Sequence, residues 1–266
     1  MPPTIHIIRT AEGGHHTDDE ANYNHDPTLA PIGRSQCISL QNTFPFQPTF
    51  LISSPLRRAI NTADLSFYPI PEKPIILLAE LQETGCLLFD RGSSWLTLIS
   101  EFRRKVNLKY LPFGWEKKGP TTRFATDVEK IEKRAVDTRV WLRNLAKEEA
   151  NEDAHIVVVT HGTFAHFLVQ DFEGMDGFGG FEHGEWRSYH FKSLREMNDQ
   201  KVKLVELESS RAKRVTEKRA GAEPLSKHEK TMAYNYAKAF VEKQAAETQY
   251  FYSCESAKNS PKITLV

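Results

Sequence analysis

A nearly all-apolar run from His155 to Thr160 (HIVVVT) constrains the fold of this chain more than any other feature of its sequence. A run of this kind is typical of a strand that is buried on both faces of a parallel sheet. Shorter β-branched runs lie at Thr4–Ile8, Thr49–Ser53 and Ile75–Ala79, and helical patterns separate them. The alternation of strand and helix predicts a three-layer α/β/α protein with a doubly wound, mostly parallel sheet.

The helical segments are marked by their first residues and by their apolar periodicity. The segment from Pro31 to Leu40 begins with proline, at a helix position that needs no N–H donor. A second helix is expected after Ser54, its predicted N-cap, and should run to about Leu65. The strongest helical pattern covers Ala125–Ala150. Two further strands are predicted, at Ser188–Phe191 and Val202–Leu207.

The composition changes after Leu207. Residues from about Ser209 to Glu247 are rich in Lys, Arg, Glu and Ala, and they predict one or two solvated helices with an interruption near Gly221 and Pro224. The final stretch, from Ser253, has little to pack and is expected to be flexible. We therefore predict a main domain over residues 1–208, followed by a charged helical extension and tail over residues 209–266.

Charge and cysteine content exclude several classes of protein. The 35 basic and 35 acidic residues balance, so no global field attracts the chain to nucleic acid or to an anionic membrane. Its three cysteines have no CxxC spacing, which disfavours a disulfide framework and a zinc site. The N-terminus has no signal-peptide pattern, and no apolar run approaches the length of a membrane span. We expect a cytoplasmic protein without a cofactor or metal, whose partner is a small anionic substrate.

Four polar segments follow predicted strands, where open α/β sheets place their ligands. They are IIRTAEGGHH, SSPLRRAINTA, LQETGCLLFD and VVVTHGTFAHFL. Together with DPTLAPIGRSQC, these segments resemble the histidine phosphatase (phosphoglycerate-mutase-like) superfamily over most of residues 4–207. The segment GEWRSYHF, from Gly184 to Phe191, further resembles the fungal and plant branch of this superfamily.

The resemblance implies an anion pocket made of Arg9, Arg58 and His161, with Glu83 as the acid/base. In the family, two arginines and two histidines surround a phosphoryl group, one histidine attacks phosphorus, and a carboxylic acid protonates the departing oxygen. Guanidinium groups suit this task because they bind phosphate oxygens bidentately. Asp90 is the alternative acid.

The chain departs from the family pattern at Thr10, which stands where the attacking histidine belongs. A threonine hydroxyl is not nucleophilic without a general base, so the resemblance implies loss of the phosphohistidine intermediate. Thr10 and His15 are then expected to contact the anion. The adjacent pair His15 and His16 is not a helical zinc motif, because neighbouring residues do not share one helix face.

Three interpretations remain open at this stage. The protein is a diverged phosphatase-like enzyme, a phosphate-binding pseudoenzyme, or a nucleic-acid or partner-binding module that uses its basic tail. The tail residues concerned are Arg211, Lys213, Arg214 and Lys218. The aromatic residues between Glu83 and the long helix either pack in the core or cover the anion pocket as an apolar lid. These are Phe89, Trp95, Phe113 and Trp115.

Overall fold

The computed structural model of the protein describes residues 3–16, 24–69, 73–148, 153–175, 180–217, 220–221 and 223–258. In chain order, the strands of this part are β1 (Thr4–Arg9), β2 (Phe50–Ser53), β3 (Ile75–Leu77), β4 (Val106–Asn107), β5 (His155–Thr160), β6 (Trp186–Phe191) and β7 (Leu204–Glu206). The α-helices are α1 (Pro31–Thr43), α2 (Arg57–Phe67), α3 (Trp95–Phe102), α4 (Val128–Glu148), α5 (Gly162–Val169), α6 (Glu208–Thr216) and α7 (Lys227–Lys258).

The strands form one sheet in the order β4-β3-β2-β5-β1-β6-β7. Neighbouring strands from β4 to β1 are parallel, whereas β6 pairs with β1 and with β7 in antiparallel fashion. The predicted mostly parallel, doubly wound α/β architecture is therefore confirmed. Because β1, β2, β3 and β5 are parallel, their C-terminal ends lie along one border of the sheet, which we call the carboxyl edge.

Both faces of the sheet are covered by apolar side chains. On β5, Ile156 and Val158 join a core cluster with residues of α4 and α5, whereas Val157 and Val159 join a second cluster with residues of α1 and α2. This alternation follows from the two-residue period of a strand. It explains why every position of this strand except its first and last is apolar.

The prediction that Ser54 is an N-cap was wrong. Helix α2 begins at Arg57, and its N-cap residue, Leu56, makes no side-chain cap bond. A distant residue supplies the cap instead, because Asp26 Oδ1 accepts a hydrogen bond from the Arg57 N–H at 2.9 Å. The Ser54 hydroxyl lies 2.8 Å from His161 Nε2 and is thereby directed to the carboxyl edge.

The C-terminal segment contains the two expected helices, but one of its basic residues is not solvated. Arg214 of α6 is 1% exposed and pairs with Glu206 at 2.7 Å. Helix α7 runs to Lys258, past the expected start of the tail at Ser253, while Lys218 and residues 259–266 lie outside the described ranges. The domain boundary between residues 208 and 209 stays a prediction. No helix in the described ranges is long and apolar enough to cross a membrane.

A buried histidine lies on β1. The His6 ring is fully buried and stacks on Phe46, with a centroid distance of 4.8 Å. Its Nδ1 lies 2.9 Å from Ser188 Oγ, and its Nε2 lies 3.0 Å from His155 Nδ1. Burial, with a smaller effect of the neighbouring His155, lowers the pKa of His6 to about 3. The folded protein therefore holds His6 in its neutral form.

We expect this burial to reduce stability in acid. Between pH 6.5 and about 3 the unfolded chain protonates His6 and the folded chain does not, so the free energy of unfolding falls as the pH falls. The contribution is about 1.4 kcal/mol per pH unit. We expect the free energy of unfolding of His6→Phe to lack this part of its pH dependence. Denaturant titrations at several pH values measure it. The control Phe46→Leu disturbs the same packing but keeps the imidazole, so it should lower the free energy of unfolding without changing its pH dependence. The same pH dependence in His6→Phe and in the wild type would contradict the prediction.

Candidate active site

The pairing of β1 with β5 brings Arg9, Thr10 and His161 together at the carboxyl edge. Arg9 is the last residue of β1 and lies opposite Thr160 in the register. The Thr10 N–H donates to the Thr160 carbonyl at 2.7 Å, and His161 follows directly. The Thr10 side chain is 4% exposed. Two of the segments predicted to form the site therefore meet through main-chain hydrogen bonds.

The Arg9 guanidinium is fixed by two acceptors. Nη1 donates to the Phe181 carbonyl at 2.5 Å, and Nη2 donates to His183 Nε2 at 3.0 Å. Since Nε2 accepts, the His183 ring donates through Nδ1, to the Thr10 carbonyl at 3.1 Å. Burial is the largest cause of a lowered Arg9 pKa, and the carboxylate of Glu83 is the largest opposing influence. His183 thus orients Arg9, a role that the sequence analysis missed.

His161 is held as a neutral imidazole. Its side chain is 2% exposed, and its Nε2 lies 2.8 Å from Ser54 Oγ. Burial first, and then four basic neighbours, lower its pKa well below the usual 6.5. In decreasing order of effect these neighbours are Arg58, Lys118, His15 and Arg9. Positive charge at this site therefore comes from the guanidinium groups rather than from this imidazole.

Glu83 lies beside His161 because its carboxylate caps α5. Glu83 Oε1 accepts hydrogen bonds from the Phe164 N–H at 3.2 Å and from the Thr84 N–H at 2.8 Å. His161 is the N-cap residue of α5 but makes no side-chain cap bond. A carboxylate stabilises a helix N-terminus through its unpaired N–H groups and its dipole. The helix thereby fixes one oxygen of Glu83.

Two buried cations hold the main chain of the loop that carries Glu83. Lys118 Nζ donates to the carbonyls of Glu83 and Gly85, at 2.7 and 2.6 Å. Arg134 Nη1 donates to the carbonyls of Glu80 and Gln82, at 3.1 and 2.8 Å. Burial is the main reason that the pKa of Lys118 is lowered to about 7 and that of Arg134 to about 10. Neither cation was identified from the sequence.

Arg58 is engaged by another loop. Its Nη2 donates to Asp90 Oδ1 at 2.7 Å, and its Nη1 donates to the Phe89 carbonyl at 2.5 Å. Arg58 and Asp90 are 3% and 4% exposed. The His15 ring stacks on Phe89, with a centroid distance of 4.5 Å. Asp90, considered as the alternative acid, is thus the ion-pair partner of Arg58; the adjacent Arg57 pairs with Glu101.

Arg9 and Glu83 line the same cavity. Its volume is about 260 Å³, and His166, Phe181 and Phe240 also contribute to its lining. The other predicted site residues do not line this cavity; they are Thr10, His15, Arg58 and His161. A larger cavity of about 610 Å³ lies along β7 and the start of α7, away from these groups. The chemistry of Arg9 and Glu83 favours the smaller cavity as the site.

Most of the four aromatic residues that were predicted to cover the anion pocket do not do so. Trp115 is fully buried and Trp95 packs against the core, whereas Phe113 is 90% exposed. Phe89 alone of the four contacts a predicted site residue through a ring contact or hydrogen bond in the described part of the chain. In the same ranges, no three His, Cys, Asp or Glu side chains are grouped closely enough to hold a metal ion. The side chain of His16 is outside the described part.

Comparison with known proteins gives one family and several similar folds. Residues 5–208 match the model of the histidine phosphatase superfamily (branch 1). No curated protein matches the sequence. Among solved structures, mycobacterial hydrolase 2 is 16% identical with a TM-score of 0.51, covering 89% of this chain and 99% of that one.

Two further solved structures have lower scores. Mycobacterial glucosyl-3-phosphoglycerate phosphatase is 16% identical with a TM-score of 0.48, covering 77% of this chain and 97% of that one. A phosphoserine phosphatase mutant from Entamoeba histolytica is 17% identical with a TM-score of 0.46, covering 78% and 98%. At these identities, similarity to a solved structure bears on the fold alone.

The environment of His161 gives a direct spectroscopic prediction. A free imidazole titrates near pH 6.5, but burial and the four basic neighbours should keep His161 neutral down to low pH. Its ring resonances in two-dimensional NMR, assigned with His161→Gln, should therefore not shift between pH 8 and 5. A titration midpoint near 6.5 would show that the imidazole is solvated and would contradict this arrangement.

Proposed function

Because the chain belongs to the histidine phosphatase superfamily (branch 1), we propose that it acts on a small phosphorylated or otherwise anionic metabolite without the usual phosphohistidine intermediate. One observation carries this proposal: Arg9 and Glu83 line the same cavity. A guanidinium group binds phosphate oxygens, and a carboxyl group moves a proton to or from a reacting oxygen. The cavity is therefore lined by one group that can bind the phosphate and one that can transfer the proton, as phosphoester hydrolysis requires.

The helix beside the cavity supports this proposal. Gly162 and Thr163, the first residues of α5, also line the cavity. A Cβ at Gly162 would lie 3.1 Å from Arg9 Nε, so glycine allows the guanidinium to approach the start of the helix. The first N–H groups of a helix have no partner within it and favour anions. A phosphate bound here would be close to Arg9 and to the N–H groups of Gly162 and Thr163, since the Phe164 N–H is already bound to Glu83.

Thr10 determines the proposed reaction route. Its main chain is fixed by Thr160 and His183, at the position that directly follows Arg9. Within the described ranges, the Thr10 hydroxyl makes no hydrogen bond to a basic side chain that could activate it. We infer that water attacks phosphorus directly while Arg9 stabilises the developing charge. The bond to the leaving oxygen breaks, protonated Glu83 gives its proton to that oxygen, and the resulting carboxylate takes a proton from the attacking water.

A second candidate is binding without turnover. The observation that favours it is the Arg58–Asp90 pair, because a guanidinium that is already bound to a carboxylate and a carbonyl is less available to stabilise the charge that develops during phosphoryl transfer, whereas Arg9 can still bind phosphate. With Thr10 at the attacking position, the protein would then be a phosphate-binding pseudoenzyme. Assignment to the fungal and plant branch also stays a proposal, supported by the segment GEWRSYHF, most of which forms β6.

The proposed roles predict that substitution of Arg9 reduces phosphate affinity, whereas substitution of Glu83 reduces the catalytic rate. In Arg9→Ala, phosphate affinity measured by calorimetry should fall roughly 10- to 100-fold, because charge-assisted hydrogen bonds are lost. Glu83→Gln keeps an oxygen that can accept from α5, so it should bind phosphate but lose about 10²- to 10⁴-fold of any phosphatase rate. Arg195→Ala, at an exposed arginine away from the cavity, serves as the control. Activity that survives both site variants would exclude this site.

Restoring an imidazole at position 10 separates the two candidates. If Thr10 is what prevents the phosphoenzyme route, Thr10→His should gain phosphatase activity by orders of magnitude. The gain should depend on Arg9 and Glu83, as measured in the double variants. Thermal unfolding must accompany the assay because Thr10 is buried. A folded Thr10→His protein without activity would favour the pseudoenzyme.

A further inference from the structure

One side chain that lines the cavity comes from outside the matched family region. The family model ends at residue 208, whereas Phe240 lies on α7 (Lys227–Lys258). Phe240 nevertheless lines the cavity that contains Arg9 and Glu83. The C-terminal helix therefore contributes a side chain to the candidate site.

Helix α7 is attached to the domain on both sides of Phe240. Ala237 and Val241 are 0% and 1% exposed and belong to the core cluster that includes α4 and α5. One turn earlier, the Tyr234 hydroxyl donates a hydrogen bond to Glu132 of α4. Residues at spacings of three and four share one helix face. The position of Phe240 is therefore set by buried contacts of its own helix.

Two more apolar side chains complete this surface. Phe181 is 2% exposed, and the Arg187 guanidinium lies 3.8 Å from its ring centroid. Met175 is partly buried and packs against the same core cluster. Met175, Phe181 and Phe240, which all line the cavity, are called the apolar wall. Such a surface binds apolar groups by removing them from water.

The charged groups of the lining disfavour a second negative group on the ligand. Arg9 is the one Lys or Arg among the described lining residues, while Glu83 and Glu182 are carboxylates. His166 also lines the cavity, and burial lowers its pKa to about 4, so it is neutral at pH 7. A ligand with one phosphate can bind Arg9, but an additional carboxylate or phosphate would approach like charges.

We propose that the substrate is a phosphomonoester with a single anionic group and an apolar alcohol part, selected by Phe240 and Glu182. This inference rests on the proposed function, because it presumes that Arg9 binds the phosphate. Phe240 acts through contact with the apolar body of the substrate. Glu182, which is exposed and lines the cavity, acts by repelling a further anion.

Three matched ligands test this selectivity in calorimetric binding. Phenyl phosphate has an apolar body, glycerol 1-phosphate has a polar neutral body, and 4-carboxyphenyl phosphate adds a carboxylate to the first. The wild type should bind phenyl phosphate at least about 10-fold more tightly than either of the others, in line with the usual discrimination of an apolar pocket. Inorganic phosphate, which has no alcohol part, serves as the reference ligand.

Two variants assign the selectivity to residues. Phe240→Ala should weaken phenyl phosphate about 10-fold and leave glycerol 1-phosphate and inorganic phosphate unchanged. Glu182→Gln should strengthen 4-carboxyphenyl phosphate several-fold more than it strengthens phenyl phosphate, because the former carries the additional carboxylate. Tyr236→Ala is the matched control, because Tyr236 lies on the same helix and is 45% exposed. Phe240→Leu, which keeps an apolar side chain, should restore most of the affinity.

The outcomes separate this inference from the function on which it rests. If the wild type binds inorganic phosphate but does not distinguish the three esters, or if Phe240→Ala weakens all ligands equally, the proposed selectivity is overturned and the phosphate site stands. If the wild type binds neither inorganic phosphate nor any ester, both proposals are overturned. Circular dichroism monitors folding; should Phe240→Ala fail to fold, the selectivity is decided by the wild-type comparison and by Phe240→Leu.

Discussion

The parallel pairing of β1 with β5 determines the geometry of the whole carboxyl edge. Both strands are buried on two faces, so a shift of one residue would move apolar side chains between the two core clusters. The register is therefore strongly specified, and it places Arg9 opposite Thr160. Thr10 and His161 then follow side by side. Packing of the interior, rather than any contact among the polar groups, brings the guanidinium and the imidazole together.

Electrostatics at this edge depends on burial. Two histidines near the chemistry, His161 and His166, have lowered pKa values because desolvation disfavours their charged forms. Arg58 is neutralised locally by Asp90. Arg9 is thus the cation that faces the open cavity among the described residues, although several basic side chains are near it. A count of basic residues in the motifs would overestimate the positive charge that a ligand meets.

The sequence predicted the α/β fold because its strands and its long helix carry strong, regular patterns. It also predicted that Arg9 and Glu83 belong to one site, although their roles are still untested. The contacts made by Lys118, His183 and Phe240 could not be predicted, because each joins segments far apart in the chain. Lys118 sits in a polar loop beside Lys117, and nothing local distinguishes the buried lysine from the solvated one. The wrong N-cap at Ser54 has the same origin, since a distant carboxylate caps the helix.

The way in which Lys118 and Arg134 hold the loop around Glu83 has a consequence for sequence variation. Their hydrogen bonds end on carbonyl oxygens, which every amino acid possesses. The path of the backbone there is consequently largely independent of which side chains the loop displays. Gly85 is an exception, because a methyl group at that position would overlap Asp90. Elsewhere in the loop, substitutions can alter the chemistry offered to the cavity while the supporting conformation persists.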